Sequence, residues 1–196
     1  MRPERRMAEP YRDKSWLDPR IAVRISALGG SGSFATAPIA AGEVVIRWGG
    51  LVLRADELDK ITLKPDSVIP IAEGLFIATP ADATDVSDFY LNHCCDPTLW
   101  MVDAVSFAAR RDIAAGEELT ADYAFWQDDD GFVPEWNCGC GAALCRGKVT
   151  GADWRLPALQ ERYRGHFSPF VNARIARLAA SNDRGSQEAW RNASTS

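Results

Sequence analysis

Along the body of the chain, apolar and polar positions alternate in runs too short for helices. Ile21, Val23 and Ile25 alternate with smaller or charged residues and predict a strand. A glycine-rich turn follows, Gly29-Gly30-Ser31-Gly32-Ser33. A second extended stretch runs from Glu43 to Trp48 after the turn Ala41-Gly42. Gly49-Gly50 interrupts it and Leu51-Val52-Leu53 resumes it. Residues 54–64 read as a helix or turn. Val68–Ile71 and Leu75–Ala78 read as a hairpin about Glu73-Gly74. A strand pair is expected over Trp100–Arg110, ending at Ala115-Gly116, and one more extended piece over Glu118–Tyr123.

The pattern then changes. Pro157 suits the first turn of a helix, with Leu156, Leu159 and Tyr163 as its apolar side. Ser168-Pro169 is a start signal for a second helix, in which Val171, Ile175 and Leu178 recur on one face. The polar run over 181–196 reads as an unstructured tail. The expected fold is therefore mainly β, with many short strands joined by glycine turns and a helical tail over 152–180.

With 196 residues, the chain can bury the core of one domain. Hydrophobic residues make up 46% and charged residues 25%, an ordinary globular balance. No apolar run has the length of a membrane span. The flank over 1–20 is charged and lacks the apolar centre of a signal peptide. Soluble and intracellular is the default expectation, with delivery to another cell left open. The net charge of −5 argues against a protein that coats nucleic acid, and suits an acidic enzyme acting on a basic partner.

The five cysteines change the picture most. Cys138, Cys140 and Cys145 fall in the glycine-rich segment Cys138-Gly139-Cys140-Gly141-Ala142-Ala143-Leu144-Cys145. Glycine lets the chain bend so that neighbouring thiolates converge on one ion. A structural zinc takes four ligands, so a fourth has to come from elsewhere. The C-x-C spacing speaks against a C-x-x-C redox pair. Asn92-His93-Cys94-Cys95-Asp96-Pro97 holds the other two thiols. By itself it is open to a core histidine or a nucleophilic thiol. Gly116-Glu117-Glu118-Leu119-Thr120-Ala121-Asp122-Tyr123 is, alone, a turn and a strand. Asp128-Asp129-Asp130 reads first as a solvated acidic loop, with attraction of a basic substrate tail as the alternative. His166 reads as structural.

Taken in order, these segments resemble the SET-domain family of protein lysine methyltransferases. Gly30-Ser31-Gly32-Ser33-Phe34-Ala35 is similar to the family's G-x-G cofactor loop. Asn92-His93-Cys94-Cys95-Asp96-Pro97 resembles its N-H-S-C-x-P motif, and Glu118-Leu119-Thr120-Ala121-Asp122-Tyr123 its E-L-T-x-D-Y motif. Cys138, Cys140, Cys145, Arg146 and Gly147 resemble its post-SET segment C-x-C-x4-C-R-G. The resemblance implies a β-clip-like fold of short sheets, with the N-H and D-Y segments crossing as a pseudoknot. It implies a SET domain over 21–126 with a variable insert over 52–88, and a post-SET zinc segment over 127–151. Its zinc ligands would be Cys95, Cys138, Cys140 and Cys145, leaving Cys94 spare. S-adenosyl-L-methionine would be held by Gly30, Ser31, Gly32, Ser33, Phe34, Trp48, Asn92, His93, Tyr123 and Leu144. Tyr123 would be the catalytic tyrosine. The implied partner is a protein or peptide presenting a lysine, without a role for membrane or directly bound nucleic acid.

Three positions depart from the family pattern. Trp48 stands where a tyrosine usually faces the active site, and Phe89 where an arginine is common. Ala121 stands where a larger aromatic often limits the methyl count, leaving room for further methylation unless Trp100 or Met101 fills the space. Trp48 is also the feature that favours a rival reading, a catalytically weak SET module that binds a peptide. A third reading, a zinc-stabilised interaction domain without a cofactor, leaves the G-x-G and N-H segments unexplained.

Overall fold

The computed structural model of the protein describes residues 11–65, 67–84 and 90–193. Within them, short strands form three small sheets and a helical tail follows. The mainly β architecture expected from the alternating pattern is present. One sheet takes β1 (Trp16–Leu17), β4 (Val44–Arg47), β9 (Leu99–Met101) and β10 (Ser106–Ala109), in the order β1-β4-β10-β9. A second takes β2 (Ile21–Ile25), β3 (Ser31–Ala35), β8 (Asn92–His93) and β11 (Glu118–Ala121), in the order β2-β3-β11-β8. The third takes β5 (Leu51–Arg54), β6 (Ile69–Ala72) and β7 (Leu75–Ala78), in the order β5-β7-β6.

The glycine break between β4 and β5 has a steric cause. A Cβ on Gly49 would lie 2.2 Å from the backbone carbonyl carbon of Lys14. Only a residue without a side chain lets the incoming segment pass there. That segment is part of the expected flank, yet its residues Trp16 and Leu17 pair with Arg47 and Ile46 and extend the first sheet.

The segments carrying the Asn-His and Asp-Tyr motifs meet through a pairing only two residues long. β8 and β11 run parallel, with Asn92 opposite Thr120 and His93 opposite Ala121. The Cys94 N–H continues the ladder to the Ala121 carbonyl at 3.0 Å. Such a parallel pair needs a crossover between its strands, here everything from residue 94 to residue 117.

The tail closes the core from one side. Residues Pro157–Arg162 form α1 and Pro169–Ala193 form α2. Fully buried Ser168 caps α2, its Oγ accepting the Val171 N–H at 3.1 Å. Tyr163 sits edge-on to Phe125 at 4.9 Å. Its hydroxyl donates to the Cys95 carbonyl at 3.0 Å, and Arg162 Nη1 donates to the same oxygen at 3.0 Å. Leu156, expected on the buried side, is 42% exposed because it precedes the helix rather than joining it. α2 also continues to Ala193, past the end placed near Ala180. The polar run beyond Ala180 has no proline and a single glycine, Gly185, so no backbone feature stops the helix. Residues 1–10 and Phe89 lie outside the described residues, as does part of the acidic stretch before Phe89.

Candidate active site and cysteine cluster

Four sulfurs converge beneath the parallel pair. The Sγ atoms of Cys95, Cys138, Cys140 and Cys145 all lie within 4.8 Å of one another, and Cys94 is not of the group. The Cys95 and Cys138 sulfurs are 3.8 Å apart. A tetrahedron with zinc–sulfur bonds near 2.3 Å has edges of about 3.8 Å, so the donor set fits that ion. Gly141 and Gly147, at φ +72° and +67°, supply the bends, and the Cys138 N–H closes the loop on the Gly147 carbonyl at 2.6 Å. Burial pushes the Cys95 thiol up to about 11. A bound dication reverses that tendency, because thiolate is the ligand form.

His93 and Arg146 tie this cluster to the Asp-Tyr motif. The Tyr123 N–H donates to His93 Nδ1 at 3.2 Å. A neutral ring then carries its proton on Nε2, which lies 3.3 Å from Cys95 Sγ. Burial brings the imidazole down to about 4, against the pull of Asp122, and so favours that neutral form. The ring expected to face the cofactor is thus only 6% exposed and engaged within the protein. Arg146 donates its backbone N–H to Cys95 Sγ at 3.3 Å. Its guanidinium grips the fully buried carboxylate of Asp122 at 2.6 and 2.8 Å, and Asp153 at 2.8 Å.

On the other side of β8 lies a polar cradle. Asn92 Nδ2 donates to the Ser31 carbonyl at 3.1 Å and to Glu118 Oε1 at 2.7 Å. Ser26 Oγ donates to Glu118 at 2.8 Å. A Cβ on Gly32 would lie 2.1 Å from Glu118 Oε1 and 2.9 Å from Asn92 Nδ2. Gly30 takes φ +57°, a left-handed conformation that favours glycine. The buried Ser33 Oγ has no hydrogen-bond partner among the described residues. The G-x-G loop, Asn92 and Glu118 thus form one surface, with both amide protons of Asn92 engaged and its Oδ1 left as an acceptor. Leu144, 63% exposed, and Phe34, half-buried, take no part in these hydrogen bonds.

One residue before Asn92, Leu91 lines a cavity of about 350 Å³. Four aromatic residues line it, Trp48, Tyr123, Trp126 and Phe132, beside polar Ser67, Thr79 and Gln127. The Trp48 and Trp126 rings stand edge-on at 5.0 Å, and Trp126 lies 5.2 Å from Tyr123. The Tyr123 hydroxyl donates to the Leu91 carbonyl at 3.1 Å. Trp48 is 6% exposed, so its indole forms a cavity wall. Neither Trp100 nor Met101 lines this space. Trp100 stacks flat on His166 at 3.4 Å, and Met101 is fully buried. Trp126 and Phe132 carry no motif, and only their place after Tyr123 points to them.

The acidic loop is largely neutralised. Asp128 pairs with Arg174 of α2 at 2.6 Å, and Asp130 with Arg155 at 2.5 Å.

Comparison with known proteins agrees with this geometry. Residues 30–124 match the family described as SET domain. The histone-lysine N-methyltransferase trithorax of Drosophila melanogaster is 34% identical over 157 residues, 71% of this chain and 4% of that protein. Histone-lysine N-methyltransferase ATX2 of Arabidopsis thaliana is 31% identical over 161 residues, 75% of this chain and 14% of that protein. The chain thus spans only a small part of the length of these relatives. Among solved structures, KRYPTONITE in complex with mCHG DNA and SAH aligns at a TM-score of 0.51 and 26% identity, covering 65% of this chain and 28% of that one.

Proposed function

The chain belongs to the SET-domain family, and from that premise we propose that it is a protein-lysine N-methyltransferase using S-adenosyl-L-methionine. The aromatic cavity that holds Tyr123 carries this reading, because it begins one residue away from the Asn92 cradle. A lysine entering the cavity and a cofactor on the cradle would meet at β8. The cofactor supplies a methyl group on a sulfonium, a good leaving group, so the protein needs to align the partners and exclude water. The SAH bound to KRYPTONITE is the form the donor takes after losing that methyl, which supports the assignment.

The remaining steps fall to this chain's residues. Gly30, Gly32 and Asn92 offer backbone and amide groups to the cofactor, with Glu118 fixing the amide. The reacting amine has to be neutral. From a reference pKa near 10.4, its deprotonation at pH 7 costs about 4 to 5 kcal/mol. Walls of tryptophan and phenylalanine favour the neutral amine by desolvation. Tyr123 gives its proton to Leu91, so its oxygen accepts an amine N–H and turns the nitrogen lone pair toward the methyl. Cys95, Cys138, Cys140 and Cys145 would hold a structural zinc that fixes the segment after Tyr123.

The substrate is a protein or peptide with an accessible lysine, a class supported by relatives that act on histone lysines. Among the described residues, no helix is long and apolar enough to cross a membrane. Thiols that must stay reduced support action inside a cell. Incubation with cofactor and a panel of basic proteins, followed by mass spectrometry, tests the proposal. Methylated lysines are expected. Cofactor binding without transfer to any member would instead support the peptide-binding reading.

A further inference from the structure

Of the three consecutive aspartates, one differs from its neighbours. Asp128 and Asp130 hold arginines, while Asp129 has no cationic partner among the described residues. Asp129 also lines the aromatic cavity, and among the described residues that line it Asp129 is the one carboxylate. Its Oδ1 accepts the Gly131 N–H at 2.8 Å. The Asp129 carbonyl accepts the Phe132 N–H at 2.9 Å. A Cβ on Gly151 would lie 1.8 Å from that carbonyl oxygen, so the loop rests directly on a bare backbone. The carboxylate is therefore held at a fixed place before any ligand arrives, which lowers the entropic cost of using it.

Depth decides what it meets. Of the residues lining the cavity, Trp48 and Leu91 are 6% exposed, while Asp129 is exposed to solvent. A lysine amine engaged by Tyr123 leaves the solvent-exposed Asp129 to another group. We propose that Asp129 selects substrates carrying a cationic side chain, arginine or lysine, next to the methylated lysine. This rests on the methyltransferase reading for the word substrate, and on the cavity rather than the run of acids for the site. An exposed ion pair is worth about 0 to 1 kcal/mol, so the selection is a preference of roughly threefold at low salt. It fades as salt screens the exposed pair.

The test uses the full chain with bound cofactor and a peptide set with one central lysine. Each flanking position carries arginine or glutamine in turn. Binding is read by fluorescence anisotropy and methyl incorporation separately. Wild type should bind peptides with arginine at one flanking position about threefold more tightly than their glutamine counterparts. Asp129→Asn keeps the acceptor for Gly131 and should bring that ratio to about one. Asp130→Asn removes an equal charge already taken by Arg155 and should keep the wild-type ratio. A wild type without preference, an Asp129→Asn variant that retains it, or no peptide binding would overturn the inference. Peptides that bind with the predicted ratio but gain no methyl group would leave the selection standing and remove the methyltransferase reading.

Discussion

Arg146 holds Asp122 with two hydrogen bonds, at 2.6 and 2.8 Å, while its own backbone N–H reaches Cys95 Sγ. One residue thus joins the cysteine cluster to the aspartate that precedes Tyr123. Asp122 has no exposed surface, and Arg146 supplies its counter-charge. Arg146→Ala should therefore strand a buried carboxylate and destabilise the protein by about 3 to 5 kcal/mol. Urea denaturation gives the number. A loss below about 1 kcal/mol would mean that Asp122 finds another partner.

Metal content should separate the two adjacent thiols. Native protein is expected to carry one zinc per chain, bound by the four clustered sulfurs. Cys95→Ser should lose it, and Cys94→Ser should keep it. Elemental analysis of both variants decides; equal zinc in the two would break the ligand assignment.

The cradle predicts a cofactor phenotype. Asn92→Ala removes the amide held by Ser31 and Glu118. Losing a hydrogen bond to the cofactor there should cost about 1 to 3 kcal/mol of binding. Calorimetry with S-adenosyl-L-methionine reads this directly, and an unchanged Kd in a folded variant would take Asn92 out of the site.

Tyr123→Phe removes one hydroxyl and keeps the ring against Trp126. If the oxygen orients the amine, the single-turnover rate should fall while cofactor affinity stays near wild type. That split marks an interaction made mainly in the transition state. Undiminished turnover would make Tyr123 a packing residue.

Trp126→Ala should widen the cavity beside Tyr123, since the indole forms one of its walls. The expected readout is a shift toward more highly methylated product, seen by mass spectrometry. An unchanged product distribution would place the size limit elsewhere.

Much of this was legible beforehand where local chemistry dictates structure. Glu73-Gly74 between two apolar runs yields the β6–β7 hairpin, and Ser168-Pro169 yields the capped start of α2. The cysteine spacing led to the converging sulfurs. Arg146 was visible only as a motif letter, because its meaning lies in carboxylates brought near by folding. Trp126 and Phe132 follow no period and belong to no motif, so only their nearness to Tyr123 in the sequence hints that they are cavity walls. The pairing of Trp16 with Arg47 was hidden for a similar reason: two residues are too few to show alternation.

The contacts at Cys95 have a consequence for synthesis. Its sulfur waits for Cys138, Cys140 and Cys145, and its carbonyl for Arg162 and Tyr163. A ribosome reaches those residues well after it has made Tyr123. While the chain is still emerging, the tyrosine, its histidine partner and the cradle all exist without the segment that fixes them. The supports of this corner of the fold are therefore complete only once residue 163 has left the ribosome.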